Sequence, residues 1–270
     1  SINDLKTGRA KIDKLRPISI DDLLCRDSVL PDKDLLNSSI LKSVICITGA
    51  AGSIGSELCR QILYIKPEKL VIIDHSEVDL YRVDKELKSL KIDKTVIVTV
   101  LGNVSDEGFL KRIFQLHKIK LIFHAAAYKH VPLVEENPLA GIGNNILSTK
   151  AVCEAAINSN CHHVVLISSD KAVRPSNIMG ATKRFSEIIV QAYADEIQKK
   201  NIKILFSMVR FGNVLASSGS VVPLFQNQIS NGGPITITHK QITRFFMTIT
   251  EAAQLLMQSV PLSEGGDVFL

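Results

Sequence analysis

After a polar, proline-punctuated segment reaching about residue 40, short apolar runs alternate with longer stretches of helical periodicity. The runs are Val44–Thr48, Leu70–Ile73, Val96–Val100, Leu121–His124, Val164–Ser168 and Ile204–Val209, all rich in Val and Ile. Continuous apolarity, without polar alternation, marks strands whose sheet is covered by helices on both faces. Between them lie Ile54–Ile65, Glu77–Leu90, Glu107–His117, Asn144–Asn158 and Thr182–Lys199, where apolar residues return at helical spacing. This alternation predicts an α/β fold, a parallel, right-handed doubly wound sheet spanning residues 41–210. From Phe211 the rhythm changes. Gly, Ser, Asn and Pro become frequent, and only short helical pieces remain, around Val222–Ile229 and Glu251–Ser259. Residues 211–270 thus predict part of a smaller region capping the carboxyl ends of the strands, where ligands bind in this class. The closing Asp267–Leu270 reads as a strand cut short, so the natural C-terminal portion is expected beyond it.

Composition narrows the classes. Apolar residues make up 46% of the chain, ample for a core, so disorder is excluded. The net charge of +5 is mild, and Lys and Arg are scattered among Asp and Glu. No dense basic stripe marks a nucleic-acid surface, while small anions such as diphosphates suit the balance. The five cysteines, at 25, 46, 59, 153 and 161, are odd in number and form no CxxC. They predict buried thiols in a reducing compartment, without a disulfide frame or a metal site. No apolar run approaches the roughly 18 residues of a membrane helix, and no signal peptide opens the chain, which reads as soluble and cytoplasmic.

The turn after the first strand is Thr48-Gly49-Ala50-Ala51-Gly52-Ser53-Ile54-Gly55. A bare glycine triplet is weak, but this one follows a predicted strand and opens a predicted helix, as a dinucleotide site requires. Gly49 permits the tight turn, Gly52 lets the backbone approach a pyrophosphate, and Gly55 lets the helix pack on the strand. The first helical amides, from Ser53 and Ile54, face the anion. Asp74 ends the second strand where an acid accepts hydrogen bonds from the adenosine ribose. A carboxylate there repels a 2′-phosphate, favouring NAD over NADP. Asp74 also fits as the start of the next helix with Ser76, another cofactor-site candidate, as N-cap; both roles can hold. The fifth strand ends in Ser168-Ser169-Asp170-Lys171, placing a hydroxyl, an acid and an amine where nicotinamide is expected. Met179 and Lys183, four apart, share a face of the following helix. In short-chain dehydrogenases that spacing carries Tyr and Lys, the lysine lowering the tyrosine pKa; the methionine here carries no proton.

These residues resemble the UDP-N-acetylglucosamine 4,6-dehydratases of bacterial capsule, O-antigen and protein-glycan biosynthesis, in the large membrane-anchored branch of the extended short-chain dehydrogenases. The resemblance rests on Thr48–Glu57, Asp74–Glu77, His124–Pro132, Ser168–Arg174, Asn177–Arg184, Arg210–Pro223 and Thr243–Met247, nearly everything after residue 40, and methionine at 179 is typical of that branch. It implies tightly held NAD and UDP-N-acetylglucosamine as substrate. Hydride leaves sugar C4, Lys171 removes the C5 proton, Asp170 protonates the departing C6 hydroxyl, and hydride returns to C6. That asks for a partly neutral Lys171 and a partly protonated Asp170. Ser169 would bond O4 and Lys183 the nicotinamide ribose; the O4 proton goes to Asp170, to Ser169 through water, or to Lys183.

The resemblance further implies that Asn103 and Val104 touch adenine, although aspartate is more usual at 103. Ala125 and Ala126 let the cofactor lie close to the fourth strand, Lys129 and His130 sit near the phosphate or sugar, and Asn145 buttresses the site. Asn213 would contact sugar or diphosphate, Val222 and Pro223 flank uracil, and Arg244 forks onto the diphosphate. Residues 1–40 resemble the linker after the membrane helices, with Asp21–Arg26 as its recognisable element. The chain is therefore expected to belong to the cytoplasmic side of an inner-membrane protein, and to form homo-oligomers through helices flanking the sheet. Three other readings stay open: a C5-inverting dehydratase, a nucleotide-sugar 4-epimerase, and a silent NAD- and sugar-nucleotide-binding module.

Overall fold

The computed structural model describes residues 24, 26–27, 29–92, 94–215, 217, 219–237, 239–241 and 243–270. The linker element's Asp21, Asp22, Leu23 and Cys25 lie outside these. Helix α1 (Lys33–Ile40) leads into β1 (Val44–Thr48), α2 (Ser53–Tyr64), β2 (Lys69–Asp74), α3 (Glu77–Ser89), β3 (Val96–Leu101), α4 (Glu107–His117) and β4 (Leu121–His124). Two short helices, α5 (Val131–Glu136) and α6 (Pro138–Gly141), run through a π-helical turn (Ile142–Leu147) into α7 (Ser148–Ile157). Then come β5 (His163–Ile167), a 3₁₀ turn (Asp170–Ala172), α8 (Ile178–Lys199), β6 (Leu205–Val209), β7 (Asn213–Val214), α9 (Val221–Ser230), β8 (Phe246–Met247), α10 (Ile249–Leu262) and β9 (Val268–Phe269).

The main sheet is parallel and seven-stranded, ordered β3-β2-β1-β4-β5-β6-β9, with β7 and β8 pairing separately. From β1 the chain winds outward to β3, then returns to β4 on the other side. This reversal opens a crevice at the carboxyl ends of β1 and β4, where doubly wound folds bind ligands. Every residue of β1 is buried because both faces are covered. Val44 and Cys46 face a core shared with α4, α7 and α8, whereas Ile45 and Ile47 face one shared with α2, α3 and α10.

Three features depart from the expected elements. Helix α8 starts four residues before Thr182, because the Asn177 side chain accepts from Gly180 N (2.8 Å) and caps it. Pro132 and Pro138 interrupt the periodicity yet sit in the first turns of α5 and α6, where the missing N–H is harmless. The described part of the N-terminal linker from Arg26 onward packs on the domain. The guanidinium of Arg26 grips Glu251 at 2.7 and 3.0 Å, and Asp32 N donates to Gln258 (2.8 Å), seating this segment on α10. No helix among the described residues is long and apolar enough to cross a membrane.

The lysines scattered along the sequence also gather. Lys42, Lys66, Lys69, Lys94, Lys118, Lys120 and Lys203 stand at or just before strand starts, on the edge opposite the crevice. In a parallel α/β fold the helices end there, and cations complement their negative dipole ends.

Candidate active site

A cleft of about 1160 Å³ crosses the carboxyl ends of the central strands. Its wall at β1 is the glycine turn. Gly49 adopts φ +65°, and a Cβ there would lie 2.5 Å from Ala126 N, so the turn and the β4 loop approach as only glycine allows. A Cβ on Gly55 would fall 2.1 Å from Gly49 O, which fixes how α2 leaves the strand. Gly52 is the N-cap and has no side chain to satisfy the first-turn amides of α2. Ser53, Ile54, Ala125 and Ala126 line the same wall.

Asp74, 7% exposed, accepts from Ala51 N (2.9 Å) and Ser76 N (3.0 Å), tying the ends of β1 and β2 together. Each carboxylate oxygen retains a further acceptor direction. Ser76 is the N-cap of α3 by position, but its hydroxyl donates to Asp79 instead of capping (2.8 Å); it too lines the cleft.

Beyond β5 the chain turns through Ser169–Ala172. Lys171 Nζ donates to Asp170 Oδ1 (3.0 Å) and Asn213 Oδ1 (3.2 Å), and Ser169 Oγ donates to Asp170 Oδ1 (2.9 Å). These contacts favour an ionised Asp170, whereas the expected chemistry asks for a partly protonated one. Partial burial pushes its pKa up, but the hydrogen bonds from Lys171 and Ser169 and the lysine charge outweigh that, holding it below its ordinary value. The pair rests as an ion pair, with side chains 38% (Lys171) and 51% (Asp170) exposed.

Met179 (3% exposed) and Lys183 (8%) line the cleft from α8. Lys183 Nζ donates to Ile167 O (2.8 Å), and burial, opposed by Glu187, lowers its pKa to about 8. Beneath it, His124 contacts Thr48 Oγ1 (2.7 Å) and Thr149 Oγ1 (3.2 Å); burial, then the Lys183 charge, lowers its pKa to about 3, so the ring is neutral.

Two buried side chains that the sequence reading left out or barely touched hold this region. Glu187, 1% exposed, accepts two bonds from Arg210 (2.7 Å each), one from Ser168 (2.6 Å) and one from Arg184 (3.0 Å). It thereby clamps α8 to the ends of β5 and β6. Asn145, on the π-helical turn, exchanges bonds with both backbone groups of Tyr128 (2.7 and 3.0 Å) and donates to Thr182 Oγ1 (2.9 Å). A glutamate four residues after the lysine, buried on the same face, was the available signal for the first.

Lys129, His130 and Asn213, expected on the substrate side, line the cleft, and burial lowers the Lys129 pKa. The His130 ring packs on Gly219, whose φ of +67° and lack of a Cβ make room for it. Other candidates stand apart. Val104 is buried in the core at 5% exposure, and exposed Asn103 spends its side-chain oxygen on Ser105 N (2.9 Å). Val222 and Pro223 are half-buried in α9, where Ser220 and Val221 present to the cleft instead. Arg244 is exposed and donates to Thr243 O (2.8 Å), outside the lining. Among the described residues no cluster of His, Cys, Asp and Glu could hold a metal.

Residues 45–270 match the polysaccharide biosynthesis protein family. The chain is 43% identical over 270 residues to the capsular polysaccharide biosynthesis protein CapD of Staphylococcus aureus, all of this chain but 44% of that protein. A UDP-glucose 4-epimerase of Rickettsia rickettsii is 33% identical over 229 residues, 84% of this chain and 65% of that one. The structure of Pen from Bacillus thuringiensis matches with a TM-score of 0.79 and 32% identity, over 85% of this chain and 70% of its own. DesIV of Streptomyces venezuelae, a dTDP-glucose 4,6-dehydratase solved with NAD, shares the fold at a TM-score of 0.70 and 19% identity, over 83% and 74% of the two chains. The chain thus spans less than half of CapD and about two thirds of the epimerase. By sequence over nearly its whole length, and by fold, the chain belongs to the polysaccharide biosynthesis protein family.

Proposed function

We propose that this chain is the NAD-dependent catalytic part of a nucleotide-sugar 4,6-dehydratase that acts on UDP-N-acetylglucosamine for a bacterial surface polysaccharide or glycan. The observation that carries the reading is the hydrogen-bonded Asp170–Lys171 pair after β5, whose lysine lines the cleft with Lys183 and Met179. An elimination needs both a base and an acid, and this pair supplies them next to the expected nicotinamide. The glycine turn and Asp74 fit NAD, and DesIV offers a precedent in the same fold.

Bound NAD supplies one thing, a reversible hydride acceptor for sugar C4 and then a donor to C6. Lys183, fixed on Ile167 O, holds the nicotinamide ribose. Lys171 takes the C5 proton once C4 is a ketone, and Asp170 protonates the leaving C6 oxygen. The reacting form requires Lys171 neutral and Asp170 protonated. It differs from the resting ion pair only by one proton moved along their 3.0 Å hydrogen bond. A bound sugar covers both half-exposed side chains, and desolvation penalises both charges, which drives that transfer. The O4 proton released as C4 becomes a ketone would pass to Asp170, to Ser169 through a water, or to Lys183, while Met179 moves no proton. Upstream membrane helices and a cytoplasmic, homo-oligomeric setting for the whole protein belong to the same proposal.

Proton NMR of the purified protein with UDP-N-acetylglucosamine in deuterated water tests it. A new C6 methyl signal with deuterium at C5 is expected, and the coupling constants report retention or inversion there. The relative named UDP-glucose 4-epimerase favours a second reading. In that case the C4 configuration inverts and no C6 methyl forms. An unchanged spectrum from folded, NAD-loaded protein overturns both.

A further inference from the structure

We infer that His75 and Tyr128 form a clasp over the glycine turn that keeps the dinucleotide from leaving. Strand β1 lies between β2 and β4 in the sheet, so the turn Gly49–Gly52 is flanked by the loops leaving those two strands. Adjacent strands are about 4.8 Å apart, which puts those loops roughly 10 Å from each other. His75 comes from one and Tyr128 from the other. Their rings nevertheless meet edge to face, 6.3 Å between centroids at 74°, so they reach toward each other across the end of β1. Both line the cleft together with Gly49, Gly52 and Asp74.

Each ring is exposed, but its base is anchored by a buried polar side chain. His75 Nδ1 lies 3.6 Å from Asp74 Oδ1, and Asp74 is held by Ala51 N and Ser76 N. The Tyr128 backbone is held at both its N–H and its C=O by Asn145, 1% exposed. Asn145 thus fixes the Tyr128 backbone, and the ring parts from His75 by side-chain rotation. A dinucleotide whose pyrophosphate sits on the glycine turn lies beneath this contact, and its release requires the rings to part. A reaction that returns its hydride to the substrate gains from such retention, because a reduced cofactor lost in mid-cycle leaves the enzyme idle.

The inference rests on NAD being the cofactor, and the test separates the two. The NAD content of the purified wild-type protein is measured first; a protein that neither retains nor rebinds NAD overturns the cofactor reading and the clasp with it. With NAD held, its release is followed by chasing into excess NAD analogue, a readout independent of sugar turnover. Tyr128→Ala is expected to accelerate release by about five- to tenfold, the range an edge-to-face aromatic contact supports. Tyr128→Phe keeps the ring and should stay within about twofold of wild type. His75→Ala/Tyr128→Ala should release no faster than Tyr128→Ala alone, since either single change opens the clasp. Wild-type release from Tyr128→Ala, or multiplying effects in the double variant, overturns the clasp and leaves the cofactor reading standing.

Discussion

Lys183 is held in a place that costs the fold stability, and the cost has a pH signature. Its pKa falls from 10.5 to about 8, chiefly through burial. At about 1.4 kcal/mol per tenfold change in proton affinity, that is a penalty of about 3 kcal/mol while the amine is charged in both folded and unfolded chains. The sign follows from proton counts. Below pH 8 both states are protonated and the penalty is fully present. Between pH 8 and 10.5 the unfolded chain binds more protons, so the lysine's cost declines as pH rises. Lys183→Met keeps the length of the side chain and removes the charge. It also removes the bond to Ile167 O, worth about 1 kcal/mol. The variant should be more stable than wild type at pH 7, by about 2 kcal/mol, and should lose that advantage by about pH 10. Urea unfolding of both proteins at the two pH values measures this. A variant less stable at pH 7, or a difference that is the same at both pH values, refutes the reasoning.

Two other perturbations follow from the geometry. Gly49→Ala sets a methyl 2.5 Å from Ala126 N at a φ of +65°, so the turn must open; the folded variant should purify without dinucleotide, read by absorbance of the released nucleotide. Glu187→Gln leaves Arg210 and Arg184 without their buried counter-charge and should cost about 3 kcal/mol in urea unfolding; a loss below about 1 kcal/mol would remove Glu187 as the clamp between α8 and the sheet.

Six of the strands, and the helices after β1, β2 and β3, were legible because local pattern alone fixes them: an apolar run of Val and Ile has one use in a sheet covered on both faces. Met179 and Lys183 were equally legible, since helical spacing places them side by side. Other features depend on chain segments far apart in sequence. Val104 follows a strand as an adenine contact should, but its side chain packs into the core with Leu110 and Phe114. The charge state of Asp170 depends on Lys171 and Ser169 folding back onto one oxygen, which composition cannot show. Asn145 reads from the sequence as a buttress of the site or as an ordinary helix-start residue, and only the π-helical turn that carries it to the backbone of Tyr128 shows what it holds. The seven lysines fall at five places about two dozen or more residues apart, and only parallel topology lines them along one edge.

The split between buried and exposed groups bears on how the site can work without a tyrosine at 179. Lys183, His124 and Asp74 are buried and committed to internal partners, so this half of the cleft is set before any ligand arrives. With methionine in the tyrosine's place, Lys183 has no phenol to acidify, and in the proposed reaction it would hold the ribose. Proton chemistry in the proposed reaction then falls on Asp170 and Lys171, which are half-exposed and hydrogen-bonded to each other. A pair open to water stays ionic and inert. In the proposed reaction, a sugar covering the pair would desolvate both charges and so favour the neutral acid and base. On that proposal, a site with methionine at 179 would switch on its chemistry when substrate excludes water from Asp170 and Lys171.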